Sequence, residues 1–471
     1  MTSTSPSKKK KSAKGKANRK KTNISVARQT SLKVLKQVFA GQSLSAVQSQ
    51  TIDKLEDSRD RGLSNEIVNG VLRWRWRLEF IVSVLLAKPL KPKDIDVQLI
   101  LLMALYELIE CRTPDYAIIN EAVDLVRKSG KKWAASLVNA VLRRFTREKE
   151  ALLASINSDQ ANYSHPDWML DKIKKDWPDD WRQILQENNQ RPAFWLRVNQ
   201  LQNNAEQYKT RLAERELDGE ISTLSVQALK LTHGVDVRTL PGFNEGAFSV
   251  QDVGAQLTAE LVDVDDAHRV LDLCTAPGGK ACHLLERYAT MEQLVAVEID
   301  EKRMRRVHEN LQRLKLSEAT GHKSKVELII ADVCEYKDWW DGVQFDRILI
   351  DAPCSASGII RRHPDIKTLR RESDIEQLME IQANILLAAW QMLKPDGELL
   401  YVTCSVFKDE NQSQISRFLE VNASGENDAI EVIINTDWGK PCDYGRQLLP
   451  GEHDADGFYF CKLKKSSAVK C

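Results

Sequence analysis

Several things this 471-residue chain lacks narrow its class before any motif is read. It has no apolar run near the roughly 18 residues needed to span a bilayer, so no membrane-crossing helix and no membrane partner is expected. Its opening stretch, MTSTSPSKKKKSAKGKANRKK, has no apolar centre, which excludes a secretory signal there. A cytoplasmic protein is expected, with its nine cysteines as reduced thiols. Those cysteines form no CxxC and no paired Cys/His cluster, so no metal site is expected. A GxxxxGK[ST] loop is missing, and so is a clean GxGxxG, which disfavours phosphate cradling.

A large net charge is missing too, but the value of +1 hides an asymmetry. Residues 8–21 hold nine Lys/Arg and no acid, leaving −8 for the remainder. So basic and apolar-poor a segment cannot bury enough surface to fold, and residues 1–23 are expected as a basic tail. It is either simply solvated or a phosphate-binding arm. The acidic remainder would then need local basic patches to hold nucleic acid.

The length exceeds one ordinary core, so several domains are expected. From 24 to 148, apolar residues recur at helical spacing, as in LSNEIVNGVLRWRWRLEFIVSVLLA and DVQLILLMALYELIE. KPLKPKD and RTPD punctuate them, which predicts an all-α domain. Residues 149–246 mix helical and extended pieces and read as a small α+β connector. From 247 to 471, short apolar runs alternate with helical stretches: RVLDLC, LVAVEI, VELIIAD, DRILIDAP and GELLYVTC. That pattern predicts a parallel α/β sheet. DAIEVIIN and the closing GFYFCKLKK are expected as edge strands, the last antiparallel.

Ligands of open α/β sheets bind beyond the carboxyl ends of the strands. There LDLCTAPGGKA gives a strand, a tight Pro/Gly turn and a helix start. Adjacent glycines let backbone come close to a ligand. An acid about 20 positions on would meet ribose hydroxyls; Glu298 and Asp300 both qualify. Asp332 follows the third strand and Asp351 the fourth. Together these ends predict a nucleoside cofactor site.

Two thiols sit at neighbouring strand ends, Cys354 in DAPCSASGIIRRHPD and Cys404 in LLYVTCSV. Carbon 5 of a pyrimidine is a weak nucleophile, and adding a thiolate to carbon 6 makes it enamine-like. One cysteine could attack while the other assists elimination. The proline before Cys354, read alone, points to that cysteine as the attacker. Arg361 and Arg362 are candidate contacts to flanking phosphates, and RWRWR at 73–77 is either core or an RNA platform.

The motifs LDLCTAPGGK, LIDAPCSASGIIRRHPDIK, YVTCSV and DGFYFCKLKK resemble those of bacterial RNA cytosine-5 methyltransferases, specifically the 16S ribosomal RNA branch. SHPDWML, NNQRP, LRVN and VQDVGAQL fit as well. The resemblance covers nearly all of the chain except the tail. It implies a NusB-like, RNA-binding helical domain at 24–148 and a Rossmann-like class I methyltransferase domain with a mostly parallel, seven-stranded sheet at 247–471. It implies S-adenosylmethionine as cofactor and 16S ribosomal RNA as partner, free or in a partly assembled small subunit, with the protein a monomer. Residue by residue, it makes Cys404 the nucleophile and Cys354 the thiol that aids elimination. The cofactor would meet Cys274, Thr275, Ala276, Pro277, Gly278, Gly279, Lys280, Glu298, Asp332 and Asp351. The family usually has Asp where Glu298 stands, so Asp300 stays a competitor. Two other functions share some of these features: a tRNA-directed enzyme of the same chemistry, and a non-catalytic RNA-binding assembly factor.

Overall fold

The computed structural model describes residues 25–422 and 428–467, so the tail at 1–23 lies outside the described residues. The first body is all helical and runs from Val26–Phe39 to Ala135–Ala154. At its centre is Ile95–Glu110, with eleven of its sixteen residues buried. A helix apolar around most of its circumference is stable only inside a ring of others. Among those others, Ser58–Arg73 and Asp115–Lys128 each turn one apolar face inward. The last helix of this body, Ala135–Ala154, continues past residue 148 toward the next segment.

Three short helices, Asp159–Tyr163, Asp167–Asp176 and Trp181–Asn188, lead into a small antiparallel sheet. It consists of β1 (Phe194–Val198), β2 (Gly219–Ile221), β3 (Ala228–Leu231) and β4 (Phe248–Val250), in the order β2-β3-β1-β4. The α+β connector is therefore as expected in kind, but its last strand lies beyond residue 246.

The third body is built on β5 (Arg269–Leu273), β6 (Gln293–Glu298), β7 (Lys325–Ile330), β8 (Phe345–Asp351) and β9 (Leu393–Thr403). These five pair in parallel in the order β7-β6-β5-β8-β9. Every residue of β5 and β6 is buried, as a parallel sheet covered on both faces requires. Beyond β9 come β10 (Ala429–Val432), β11 (Lys440–Pro441), β12 (Arg446–Leu448) and β13 (Phe458–Lys465). The core order β7-β6-β5-β8-β9-β13-β10 has the seven strands expected, and the β11–β12 hairpin brings the total to nine. Both β10 and β12 use one edge of β13: β12 pairs with Phe458–Phe460 and β10 with Lys462–Lys465. The closing strand is antiparallel as expected, yet it is interior rather than an edge. Six of its eight residues are buried, which explains its unbroken apolar start.

The three bodies meet at the segment after β8. Lys367 is buried there, and its Nζ donates to the Arg73 carbonyl of the helical body (2.6 Å), to the Ser164 carbonyl (2.7 Å) and to Asn189 Oδ1 (2.8 Å). Arg73 Nη2 donates back to the Arg361 carbonyl at 2.8 Å. The RWRWR run belongs to this seam: Arg77 stacks 4.0 Å from the Trp74 ring and donates to the Asn162 carbonyl. Arg73 is buried, while Trp74, Arg75, Trp76 and Arg77 are half-buried and pack on the protein at its surface. No helix among the described residues is long and apolar enough to cross a membrane.

Candidate active site

The sequence-predicted residues converge at the carboxyl ends of β5, β6, β8 and β9. After β5 the chain turns sharply. Cys274 takes a positive φ of 62°, and Thr275 Oγ1 donates to Asp272 Oδ2 at 2.6 Å. Gly278 has φ +91°, and a Cβ there would come within 3.1 Å of Val307 Cγ1 and 3.2 Å of its Cα. Only glycine fits that turn without strain. The helix Gly279–Arg287 starts directly after it, and its first N–H groups have no intrahelical partners. Lys280 reaches from that helix to Asp351 at the end of β8, Nζ to Oδ2 2.6 Å. Burial alone would lower its pKa, but the Asp351 charge and hydrogen bond raise it above the usual lysine value.

The two acids after β6 are held differently. Asp300 caps the helix Glu301–Leu314, its Oδ1 accepting from the N–H groups of Lys302 (2.7 Å) and Arg303 (3.2 Å). Glu298 is 2% exposed. Its Oε1 accepts from Asp300 N at 3.1 Å, while Oε2 is buried with no hydrogen bond, although Arg303 Nη1 lies 3.3 Å away. Arg303 Nη1 donates to Oε1 at 3.3 Å, so Oε2 is ion-paired but not hydrogen-bonded, and a buried carboxylate oxygen in that state at a strand end suits a ribose hydroxyl. Asp332 is exposed and caps the turn after β7 through Cys334 N at 2.9 Å.

Cys354 and Cys404 lie with their sulfurs 3.4 Å apart. The eight cysteines among the described residues are all free. The hydrogen bond to Cys404, together with burial, raises the Cys354 pKa well above the ordinary thiol value. Backbone closes tightly around the pair: Gly358 N donates to the Cys404 carbonyl (2.9 Å), and a Cβ on Gly358 would sit 2.3 Å from the Gly457 carbonyl oxygen. Arg370 Nη2 donates to the Cys354 carbonyl at 3.0 Å.

Arg361 is not open to a phosphate, and Arg362, with 27% of its side chain exposed, is already paired with two acids. Arg361 is 2% exposed and donates to Asp456 Oδ1 at 2.7 Å. Arg362 donates to Asp456 Oδ2 (2.8 Å) and Asp252 Oδ2 (3.0 Å). Those acids lie about a hundred residues away in sequence on either side, which hid the pairing. Sequence reading also missed Asp272, whose pKa burial raises to about 7. An acid inside the apolar run RVLDLC was the available signal. Glu410, six residues after Cys404, was missed as well; it binds both thiol loops. Among the described residues no cluster of acids, histidines or cysteines could hold a metal ion.

A parallel sheet with an antiparallel strand slotted in beside β9, a glycine turn after β5 and an open acid after β6 define an S-adenosylmethionine-dependent methyltransferase domain. Residues 259–464 match the family described as 16S rRNA methyltransferase RsmB/F. Residues 25–147 match the NusB family, and 165–238 match the ferredoxin-like domain of RsmF/B-like methyltransferases. The ribosomal RNA small subunit methyltransferase B of Pseudomonas putida is 43% identical over 440 residues, 93% of this chain and 98% of that protein. Its namesake in Klebsiella pneumoniae subsp. pneumoniae is 40% identical over 445 residues, 94% of this chain and 99% of that one. The solved structure of PH0851 shares the fold, with TM-score 0.75 and 21% identity, covering 93% of this chain and 99% of that one. The chain belongs to the RsmB/F family of 16S rRNA methyltransferases.

Proposed function

We propose that this enzyme methylates carbon 5 of a cytosine in small-subunit ribosomal RNA, in the cytoplasm, through a covalent bond between Cys404 and the base. The observation that carries this reading is the 3.4 Å approach of two free thiols at the ends of adjacent parallel strands, joined to the cofactor turn through Asp351 and Lys280. S-adenosylmethionine, when bound, supplies an electrophilic methyl group. Glu298 would accept from its ribose hydroxyls and the 274–280 turn would pack against it, with Asp332 and Asp351 as further candidate contacts.

Cys404 adds as thiolate to carbon 6 of the base, which makes carbon 5 nucleophilic. After carbon 5 is alkylated, its proton leaves and the sulfur–carbon 6 bond breaks, returning the thiolate. A thiol held protonated is a poor attacker at neutral pH; by giving its proton to the base's ring nitrogen as Cys404 adds, it becomes a thiolate that can take the carbon 5 proton, and the ring nitrogen releases its proton to solvent when the sulfur–carbon 6 bond breaks. That division supports Cys404 as nucleophile and Cys354 as the group assisting elimination. The family's rRNA methyltransferases and the NusB-like domain support ribosomal RNA as substrate.

The test is incubation with the methyl donor and 16S rRNA followed by a denaturing gel. Cys354→Ala should accumulate a protein–RNA adduct. Cys404→Ala should form none and lose activity by more than about 10⁴-fold. The reverse pattern exchanges the two roles, and full activity in both variants rejects the thiol mechanism.

A further inference from the structure

We propose that Glu410 and Asn411 are positioning residues that hold the loops after β8 and β9 in register, so that the two sulfur atoms meet. This deepens the thiol reading above and rests on it. The residue after each cysteine is a serine, and one carboxylate binds both. Ser355 donates its backbone N–H to Glu410 Oε1 at 2.7 Å and its hydroxyl to Oε2 at 2.5 Å. Ser405 donates its hydroxyl to the same Oε2 at 2.5 Å. Gln382 adds an N–H to Oε1 at 3.2 Å and another to the Pro353 carbonyl at 2.9 Å, so the residue before Cys354 is tied in as well.

Asn411 fixes the other side of Cys404. Its Oδ1 accepts from the Thr403 hydroxyl at 2.6 Å, and its Nδ2 donates to the Ser405 carbonyl at 2.9 Å and to Gln447 Oε1 at 2.9 Å. The residues on both sides of Cys404 are thus gripped by this neighbouring pair. Glu410 is fully buried, and no Lys or Arg among the described residues pairs with it. A carboxylate buried without a cation is costly unless its lone pairs are met by hydrogen bonds. An apolar filler could occupy the space, but it could not hold two loops fifty residues apart to one another. Neither residue is hydrogen-bonded to a sulfur, so Asn411 acts through the placement of Cys354 and Cys404, and Glu410 acts through that placement and through its charge, which also raises the Cys354 pKa.

The test uses the full chain carrying Glu410→Ala, Glu410→Gln or Asn411→Ala, beside Cys404→Ala and Cys354→Ala. Three readouts are taken: kcat and KM for 16S rRNA, S-adenosylmethionine binding by calorimetry, and the yield of a Cys354–Cys404 disulfide under diamide. In that reaction two thiols lose their hydrogens and the diazene becomes a hydrazine. Glu410→Ala should lower kcat about 100-fold, as a misplacement near 1 Å does, and should lower disulfide yield several-fold. KM and cofactor affinity should stay near wild type. Glu410→Gln keeps an acceptor for Ser355 N–H and should recover most of the rate. Wild-type kcat and disulfide yield in Glu410→Ala would overturn the proposal, as would loss of cofactor binding in step with kcat. Should Glu410→Ala not fold, unchanged kcat and disulfide yield in Asn411→Ala would overturn it. Full activity in both Cys404→Ala and Cys354→Ala would instead remove the thiol reading, while the disulfide yield of the Glu410 and Asn411 variants still reports on the loops.

Discussion

The cofactor side and the thiol side occupy the same end of one sheet, and their polar groups are treated differently. Around the turn after β5, two buried carboxylate oxygens, Asp272 Oδ1 and Glu298 Oε2, have no hydrogen bond. Around Cys354 and Cys404, the hydroxyls of Ser355, Ser357 and Ser405 and the carboxylate of Glu410 all have partners, and the one buried side-chain oxygen of that network without a hydrogen bond belongs to the neutral amide of Gln382. Open acceptors suit a region that must receive a ligand's donors. Closed networks suit one that must hold two atoms at a fixed separation. The connector serves the cofactor side: Arg197 of β1 donates to the Gly279 carbonyl (2.7 Å) and to both Glu286 oxygens (2.9 and 2.8 Å) in the helix that follows the turn.

Four substitutions sharpen or break this contrast. Arg197→Ala strands the fully buried Glu286 and should cost about 3–5 kcal/mol in urea unfolding. A loss no larger than at a surface site would deny the connector its bracing role. Asp272→Asn tests the buried acid through pH. With the folded-state pKa raised to about 7, the native chain binds an extra proton between the unfolded value and that pH. Wild-type stability therefore falls, relative to the variant, as pH rises across this window. Unfolding free energies should coincide near pH 4 and favour the variant by about 4 kcal/mol above pH 7, and equal curves at both ends would contradict the burial argument. Glu298→Gln should weaken S-adenosylmethionine binding roughly 10- to 100-fold in calorimetry, the scale of a lost charged hydrogen bond. Asp300→Ala should leave that affinity unchanged and cost about 1 kcal/mol of stability, the worth of a helix cap. Exchanged outcomes for these last two would reassign the ribose acid.

The pattern of apolar runs revealed β5 to β9 because fully buried parallel strands are nearly continuous in apolar residues. The glycine turn and both cysteines were legible because strand ends can be counted. Glu298 and Asp300 could not be told apart by spacing; in the fold Asp300 caps a helix, whereas Glu298 is buried at the strand end. Arg361 looked like a phosphate contact because its loop follows Cys354, whereas its partner Asp456 comes 95 residues later. Glu410 lies in the polar stretch KDENQ, which reads as surface until Ser355 and Ser405 fold onto it. β13 looked like an edge because it closes the chain, yet sequence position says nothing of sheet position.

Lys367 carries a consequence for how the molecule comes apart. Its three acceptors belong to the helical body, to the loop before Asp167–Asp176 and to the end of Trp181–Asn188. A catalytic fragment beginning near residue 190 would keep the amine and lose all three acceptors. Melting of either part withdraws the other's hydrogen-bond partners, so the stability of the bodies is coupled through this one amine.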